Sequence, residues 1–254
     1  MRRILILGGT TEARRLAGRL AERSDLTVTL SLAGRTAHPV AQPVLVRVGG
    51  FGGAEGLTAY LAREKIDLLI DATHPYAAVM AGNAAAAARS GGVRLLGLRR
   101  PPWVAVAGDR WSEVADTGAA VEALGAAPRR VFLALGRNEL AAFTRAPQHV
   151  YLIRSVDPVE PPLAVPRASY VTGRGPFSAA DDQALLVAHG IEIVVAKNSG
   201  GEATYGKIAA ARALGIAVVL LRRPPLPEVP AVATVEEALA WIDHALAPSA
   251  LREV

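Results

Sequence analysis

Arg3-Ile4-Leu5-Ile6-Leu7-Gly8-Gly9-Thr10-Thr11-Glu12-Ala13-Arg14-Arg15-Leu16 is the stretch from which the rest of the chain can be read. Four apolar residues run into two glycines, then two hydroxyls, then an Ala/Arg/Leu stretch at helical spacing. A short continuous apolar run of this kind predicts a strand buried on both faces of a parallel sheet, turning directly into a helix. The free backbone N–H groups at such a helix start attract anions, and glycine lets a diphosphate come close to the chain. Thr10 and Thr11 add hydroxyl donors, and either can cap the helix. An ordinary strand-to-helix turn with a good N-cap has the same local sequence, because the full G-x-G-x-x-G spacing is missing.

Working outward, strand signals recur at Leu26 to Leu32, Leu45 to Val48, Ile66 to Ile70 and Val93 to Leu98, with helical stretches between them. A helix is expected near Ala54 to Glu64, after the turn Gly49-Gly50-Phe51-Gly52-Gly53. An Ala-rich helix should run to about Arg89, with Pro75 at its first position. Alternating strands and helices predict a parallel sheet covered on both faces.

The second half repeats the first. Residues 2–12 align with 129–139, Ile66-Asp67-Leu68-Leu69-Ile70 with Ile191-Glu192-Ile193-Val194-Val195, and the segment ending Arg99-Arg100-Pro101-Pro102 with that ending Arg222-Arg223-Pro224-Pro225. Offsets run from 123 (Gly92 to Gly215) to 127 (Arg3 to Arg130). Two copies in register predict two similar α/β domains, 1–125 and 126–254, with the boundary in Gly125-Ala126-Ala127-Pro128. A terminal helix packing across onto the other domain is compatible with this. Ligands of open α/β sheets lie beyond the carboxyl ends of the strands, so a cleft between the domains is expected to hold a substrate and one domain a cofactor.

Composition narrows the function. The 254 residues carry 28 Lys plus Arg against 23 acids, a net charge of +5, and only three of those cations are lysines. A basic balance suits acidic partners, although a GC-rich genome gives the same arginine excess. Sparse aromatics and the lack of helix-turn-helix or zinc-finger spacing argue against nucleic acid. There is no cysteine, no signal peptide pattern and no apolar run long enough for a bilayer, which fits a soluble cytoplasmic protein without membrane contact. The five histidines fit no short metal motif, so no metal site is expected.

The end of the second strand reads Ser31-Leu32-Ala33-Gly34-Arg35. NAD-binding domains usually carry an acid there for the ribose 2′-hydroxyl. A serine and an arginine favour a 2′-phosphate, hence NADP(H), unless Arg35 is simply a solvated loop cation. Ala72-Thr73-His74-Pro75-Tyr76 follows the fourth strand, where a nicotinamide lies in a dinucleotide fold. His74 is a candidate proton donor as well as a ligand contact, while a helix capped by Thr73 is the plainer alternative. In the second half, Gly136-Arg137, Gly173-Arg174-Gly175-Pro176-Phe177-Ser178, Lys197-Asn198-Ser199-Gly200, Thr204 and Lys207 bring cations and N–H donors to one sheet edge. That surface suits a polycarboxylate or phosphate, if these are not ordinary surface loops.

Ile6 to Arg14, Asp71 to Ala77, Gly175 to Ser178 and Lys197 to Gly200 together resemble the precorrin-6A reductases of cobalamin biosynthesis, over nearly the whole chain. The resemblance implies two Rossmann-like domains with substrate in the cleft, and NADPH-dependent reduction of a macrocycle double bond to give precorrin-6B. It implies that Gly8, Gly9, Thr10, Thr11, Glu12, Ser31, Arg35, Ala72, Thr73 and His74 belong to NADPH. Tyr76, Gly136, Arg137, Arg174, Lys197, Asn198, Ser199, Gly200, Thr204 and Lys207 would belong to a polyanionic tetrapyrrole. Hand-over contacts with neighbouring pathway enzymes are a further expectation. The rival readings are another two-domain NADP-dependent reductase, for example of the dihydrodipicolinate reductase type, and a non-catalytic NADP-binding or sensing module.

Overall fold

A computed structural model describes residues 1–34 and 40–247. In chain order the elements are β1 (Arg2–Leu7), α1 (Thr11–Ala21), β2 (Leu26–Leu32), β3 (Leu45–Val48), α2 (Gly53–Arg63), β4 (Leu68–Asp71), α3 (Ala78–Gly91) and β5 (Arg94–Leu98). They continue with β6 (Trp111–Val114), α4 (Thr117–Ala123), β7 (Arg130–Ala134), α5 (Arg137–Leu140), a 3-10 helix (Ala141–Arg145), β8 (Val150–Ser155), β9 (Ala168–Thr172) and α6 (Ala179–Ala188). The last are β10 (Ile193–Lys197), α7 (Gly206–Ala213), β11 (Ala217–Leu221), β12 (Ala231–Val232) and α8 (Val235–Leu246).

These form two parallel six-stranded sheets, ordered β12-β5-β4-β1-β2-β3 and β6-β11-β10-β7-β8-β9. Apart from the sixth strand, the two orders superimpose as 3-2-1-4-5, that of a dinucleotide-binding Rossmann sheet. In the first sheet β1 is buried on both faces, as its apolar run requires. Ile4 and Ile6 pack with Leu16 and Leu20 of α1 and Ile242 of α8. Leu5 and Leu7 point the other way, towards Leu57 and Leu61 of α2 and Ala84 and Ala87 of α3. Each such fully buried Leu contributes about 2 kcal/mol of transfer free energy. In the second sheet, Phe132, Val194 and Leu220 pack with Leu186 of α6 and Ile208 of α7, and Trp103 and Trp111 close the cluster.

The sixth strands do not follow the sequence repeat. β6 comes directly after β5 in the chain but pairs with β11, and β12 comes after β11 but pairs with β5. The compact units are therefore Met1–Pro101 with Pro224–Val254, and Pro102–Arg223. The boundary expected at residue 126 falls inside the second unit. Both crossings occur at the repeated Arg-Arg-Pro-Pro segments, where proline cannot donate to a strand ladder. The repeat is blind to the exchange because an edge strand pairs through its backbone, which is the same on either sheet. Val235, Ala238, Ile242 and Ala245 of α8 lie in the first unit's core.

The start of α3 also differs from expectation. His74 to Tyr76 make a turn, closed by Ala77 N donating to His74 O at 2.7 Å, and the helix begins at Ala78 rather than at Pro75. Among the described residues, no helix is long and apolar enough to cross a membrane.

Candidate functional site

At the carboxyl end of the first sheet, the strand-to-helix turn Gly8-Gly9-Thr10 is the organising element. A Cβ on Gly8 would lie 2.5 Å from Leu30 Cδ1, so any side chain here would force the Leu30 methyl to move. Gly9 has φ +120° and nothing within 4 Å of where a Cβ would stand, leaving its backbone bare beside the first turn of α1. Thr10 is the N-cap: its Oγ1 accepts from Ala13 N at 3.1 Å and donates to Ala72 O at 2.9 Å. Gly8 N donates to Ser31 O at 2.9 Å, so the turns after β1, β2 and β4 are tied together. Gly8 to Glu12, Ser31 and Ala72 to His74 are thereby brought to one edge. Arg35 lies outside the described residues.

The other side chains here are already engaged. Thr11 Oγ1 accepts from Arg14 Nη2 at 3.2 Å. Glu12 Oε2 accepts from Arg100 Nη1 at 2.5 Å, and an acid in the first turn also opposes the positive helix end. Arg100 was not singled out from sequence, although its place at the end of β5 puts it on this edge. Thr73 does not cap α3: its Oγ1 donates to Asp71 Oδ1 at 2.6 Å and its N–H to the same oxygen at 3.2 Å. His74 Nδ1 accepts from Tyr76 N at 3.3 Å, which puts the proton of a neutral ring on Nε2. The rings of His74 and Tyr76 lie 5.6 Å apart, and both residues belong to the first unit.

The corresponding edge of the second sheet is different. Gly136 to Asn138 align with Gly9 to Thr11, but α5 is only four residues long and runs into a 3-10 helix. Arg137 is exposed and donates to Pro158 O at 3.1 Å. Lys197 Nζ donates to Glu139 Oε1 at 2.8 Å, the lysine side chain being 17% exposed. Gly136 lies under that carboxylate, since a Cβ there would meet Glu139 Oε2 at 2.4 Å. Arg174 is exposed on the loop after β9.

Asn198 and Lys207 face inward. Asn198 Oδ1 accepts from Trp103 N at 2.8 Å and its Nδ2 donates to Trp103 O at 3.0 Å. Lys207 is 4% exposed; its Nζ donates to Thr204 O and lies 4.9 Å from the Trp103 ring centroid. Trp103 Nε1 donates to Gly201 O at 2.8 Å, and Arg223 donates to Asn198 O and Ser199 O at 2.9 and 3.0 Å. Gly200 and Gly201, at φ +67° and +70°, make the left-handed turn that only glycine adopts cheaply. Asn198, Gly200 and Lys207 thus shape the loop that presents Lys197 and Ser199. This loop meets the Gly173–Ser178 loop where Phe177 N donates to Ala203 O at 3.1 Å. Under the latter, Arg154 stacks 3.8 Å from the Phe177 ring centroid and pairs with buried Asp182. Neither Arg154 nor Asp182 stands out in sequence, because a buried pair has no local signature. Among the described residues, no group of three or more His, Cys, Asp or Glu side chains is arranged to hold a metal ion.

A family model, precorrin-6x reductase CbiJ/CobK, matches residues 3–243. The chain belongs to the precorrin-6x reductase family. It is 57% identical to the precorrin-6A reductase of Sinorhizobium sp over 97% of this chain and 95% of that one. To the precorrin-6A reductase of Rhodobacter capsulatus it is 52% identical, over 98% and 99% of the two chains. A solved structure titled CobK precorrin-6A reductase superimposes with a TM-score of 0.94 at 51% identity, covering 97% of this chain and 98% of that one. This precorrin-6x reductase fold therefore has the two Rossmann-like sheets described above, sixth strands included.

Proposed function

We propose that the protein reduces one macrocycle double bond of precorrin-6A, using NADPH, to give precorrin-6B. The observation that carries this is the 57% identity, over almost the full length of both chains, with a protein named precorrin-6A reductase. Relatives named for the cobalt-bound substrate are 26–29% identical, which supports the cobalt-free macrocycle as substrate.

The first unit is proposed to hold NADPH and the second the macrocycle. The donor set suits a dinucleotide: Gly9 offers bare backbone at a helix start, and the cap hydroxyl of Thr10 holds the neighbouring loop at Ala72. NADPH supplies the hydride when bound. Gly8 to Thr11 would receive the diphosphate, Glu12 would keep Arg100 at its side, and His74 Nε2 would offer a proton to ligand near the nicotinamide. In the second unit, Arg137, Arg174, Lys197 and Ser199 would meet the acetate and propionate carboxylates, while Asn198, Gly200 and Lys207 fix the loop. Charge-assisted bonds to several carboxylates orient a large rigid ring better than any single contact does. A cytoplasmic setting completes the proposal, supported by a chain with no cysteine to oxidise.

The test is consumption of reduced nicotinamide with cobalt-free precorrin-6A, with NADPH and NADH run side by side. Turnover with NADPH and little with NADH is the expected result. NADPH bound but never consumed would make the protein a binding module, and equal use of NADH would remove the cofactor preference.

A further inference from the structure

The turn from β3 into the start of α2, Gly49-Gly50-Phe51-Gly52-Gly53, is open in a way the protein's own packing does not require. Nothing lies within 4 Å of where a Cβ would stand at Gly49, Gly50, Gly52 or Gly53. Positive φ values of +115°, +82° and +86° account for glycine at 49, 52 and 53. Gly50 has neither a positive φ nor a neighbour to avoid. Four bare backbone positions within five residues leave room for a ligand to lie against this turn.

One side chain holds this loop. Arg47, on β3, donates through Nη1 to Gly49 O and through Nη2 to Gly50 O, the latter at 2.6 Å. Its Nη1 also donates to Ser31 Oγ at 3.3 Å. The guanidinium carbon stands 3.8 Å from the Phe51 ring centroid and 5.3 Å from that of Tyr60, and the two rings meet edge to face at 5.1 Å. A guanidinium has five N–H donors. Three are engaged, leaving Nε–H and one Nη2–H without an acceptor among the described residues.

The location gives those two donors a meaning. Ser31 and Arg47 are direct neighbours in the β2–β3 ladder, at the carboxyl end of β2. There an NAD-binding domain places an acid against the ribose 2′-hydroxyl, and here the charge is reversed. We propose that Arg47 is a specificity-determining residue that binds the 2′-phosphate of the cofactor's adenosine. Ser31, 5% exposed, acts as its positioning residue through the Oγ contact. The inference rests on the NADPH reading and extends it by naming the cation that distinguishes NADPH from NADH. Arg47 is held on three acceptors and one aromatic face, so it is pre-organised and loses little side-chain freedom when the phosphate arrives.

The test is direct binding by calorimetry of adenosine 2′,5′-bisphosphate and of 5′-AMP, which differ only in that phosphate, with no turnover needed. Arg47→Met keeps an apolar stem over Phe51 and removes the charge; Arg47→Lys keeps a charge but not the fork. We expect Arg47→Met to weaken the bisphosphate by about tenfold or more while 5′-AMP changes less than about twofold, with Arg47→Lys in between. Arg35→Ala serves as the comparison within the same assay. A folded Arg47→Met or Arg47→Lys protein with undiminished bisphosphate affinity overturns the proposal. So does a parallel loss for both nucleotides in both variants, which would mean that Arg47 only shapes the loop. Wild-type protein that binds the bisphosphate no better than 5′-AMP would instead refute the NADPH reading itself, and this inference with it.

Discussion

Thr10 Oγ1 and the carbonyl of Ala72 are joined by a 2.9 Å hydrogen bond across residues far apart in the chain, and the same oxygen caps α1 through Ala13 N. One hydroxyl therefore does two things: it caps the start of α1 and clips the turn after β1 to the turn after β4. Thr10→Val keeps the shape and removes both bonds. The lost cap costs about 1 kcal/mol and the orphaned carbonyl about as much again. Unfolding in urea should show a loss of about 2 kcal/mol, with Thr10→Ser close to wild type. A Thr10→Val protein as stable as wild type would show that the clip contributes nothing.

Arg154 and Asp182 form a pair whose side chains are 9% and 2% exposed, with the guanidinium between the rings of Phe177 and Phe132. Asp182→Asn leaves a buried cation without its counter-charge and should destabilise by about 3 kcal/mol. The double change Arg154→Met with Asp182→Leu should recover much of that, because the aromatic slot accepts an apolar chain. Denaturant midpoints of the two variants decide it. A double variant weaker than Asp182→Asn would mean that the charge itself stabilises the loop.

His149 is fully buried, accepts from Arg129 N at 3.1 Å, and packs edge-on against Tyr151. Burial, reinforced by the charge of Arg129 and opposed by a backbone bond to Gly125, pulls its pKa below the usual 6.5. Above that value neither folded nor unfolded His149 binds a proton and its contribution to stability is complete. As pH falls below 6.5 the unfolded chain takes up a proton that the folded chain refuses, so stability drops until pH passes the folded value. The slope from this one group is at most about 1.4 kcal/mol per pH unit. Melting temperatures between about pH 5 and 8 should fall on the acid side for wild type, and less steeply for His149→Asn. Identical slopes would clear His149 of the effect.

Lys197→Ala and Arg174→Ala should each weaken precorrin-6A about tenfold and leave NADPH affinity within about twofold, since they remove one charge-assisted contact from the second unit. Fluorescence titration of both ligands against each variant separates the two. If either variant mainly lost NADPH, the assignment of ligands to units would be reversed. Lys197→Ala also frees Glu139, so Glu139→Gln, which keeps the lysine, is the control for a merely structural effect.

The backbone frame of this edge is legible along the chain. Leu7-Gly8-Gly9-Thr10 announces a buried parallel strand, a bare turn and a helix cap within a few residues, and each of those signals is local. Three of the repeated strand pairs, β1 with β7, β4 with β10 and β5 with β11, are legible for the same reason, since apolar runs and turn residues recur there in register, whereas β8 and β9 are not placed by the repeat. The contacts of Asn198 and Lys207 with Trp103 have no local signature, because a polar side chain in a glycine-rich loop looks the same whether it meets a ligand or holds a tryptophan. Arg47 and Arg154 have no local signature in an arginine-rich chain; what marks them is an aromatic ring at 3.8 Å.

The sequence by itself determined two parallel α/β sheets, the polarity of their strands and the loops that gather at their carboxyl ends, because these follow from backbone preference and the burial of short apolar runs. Only the tertiary structure decided which sheet receives each sixth strand, which cations are spent inside their own loops, and where α3 begins. Those outcomes depend on pairings between distant residues, through backbone edges, buried charges and ring faces whose partners no local pattern specifies.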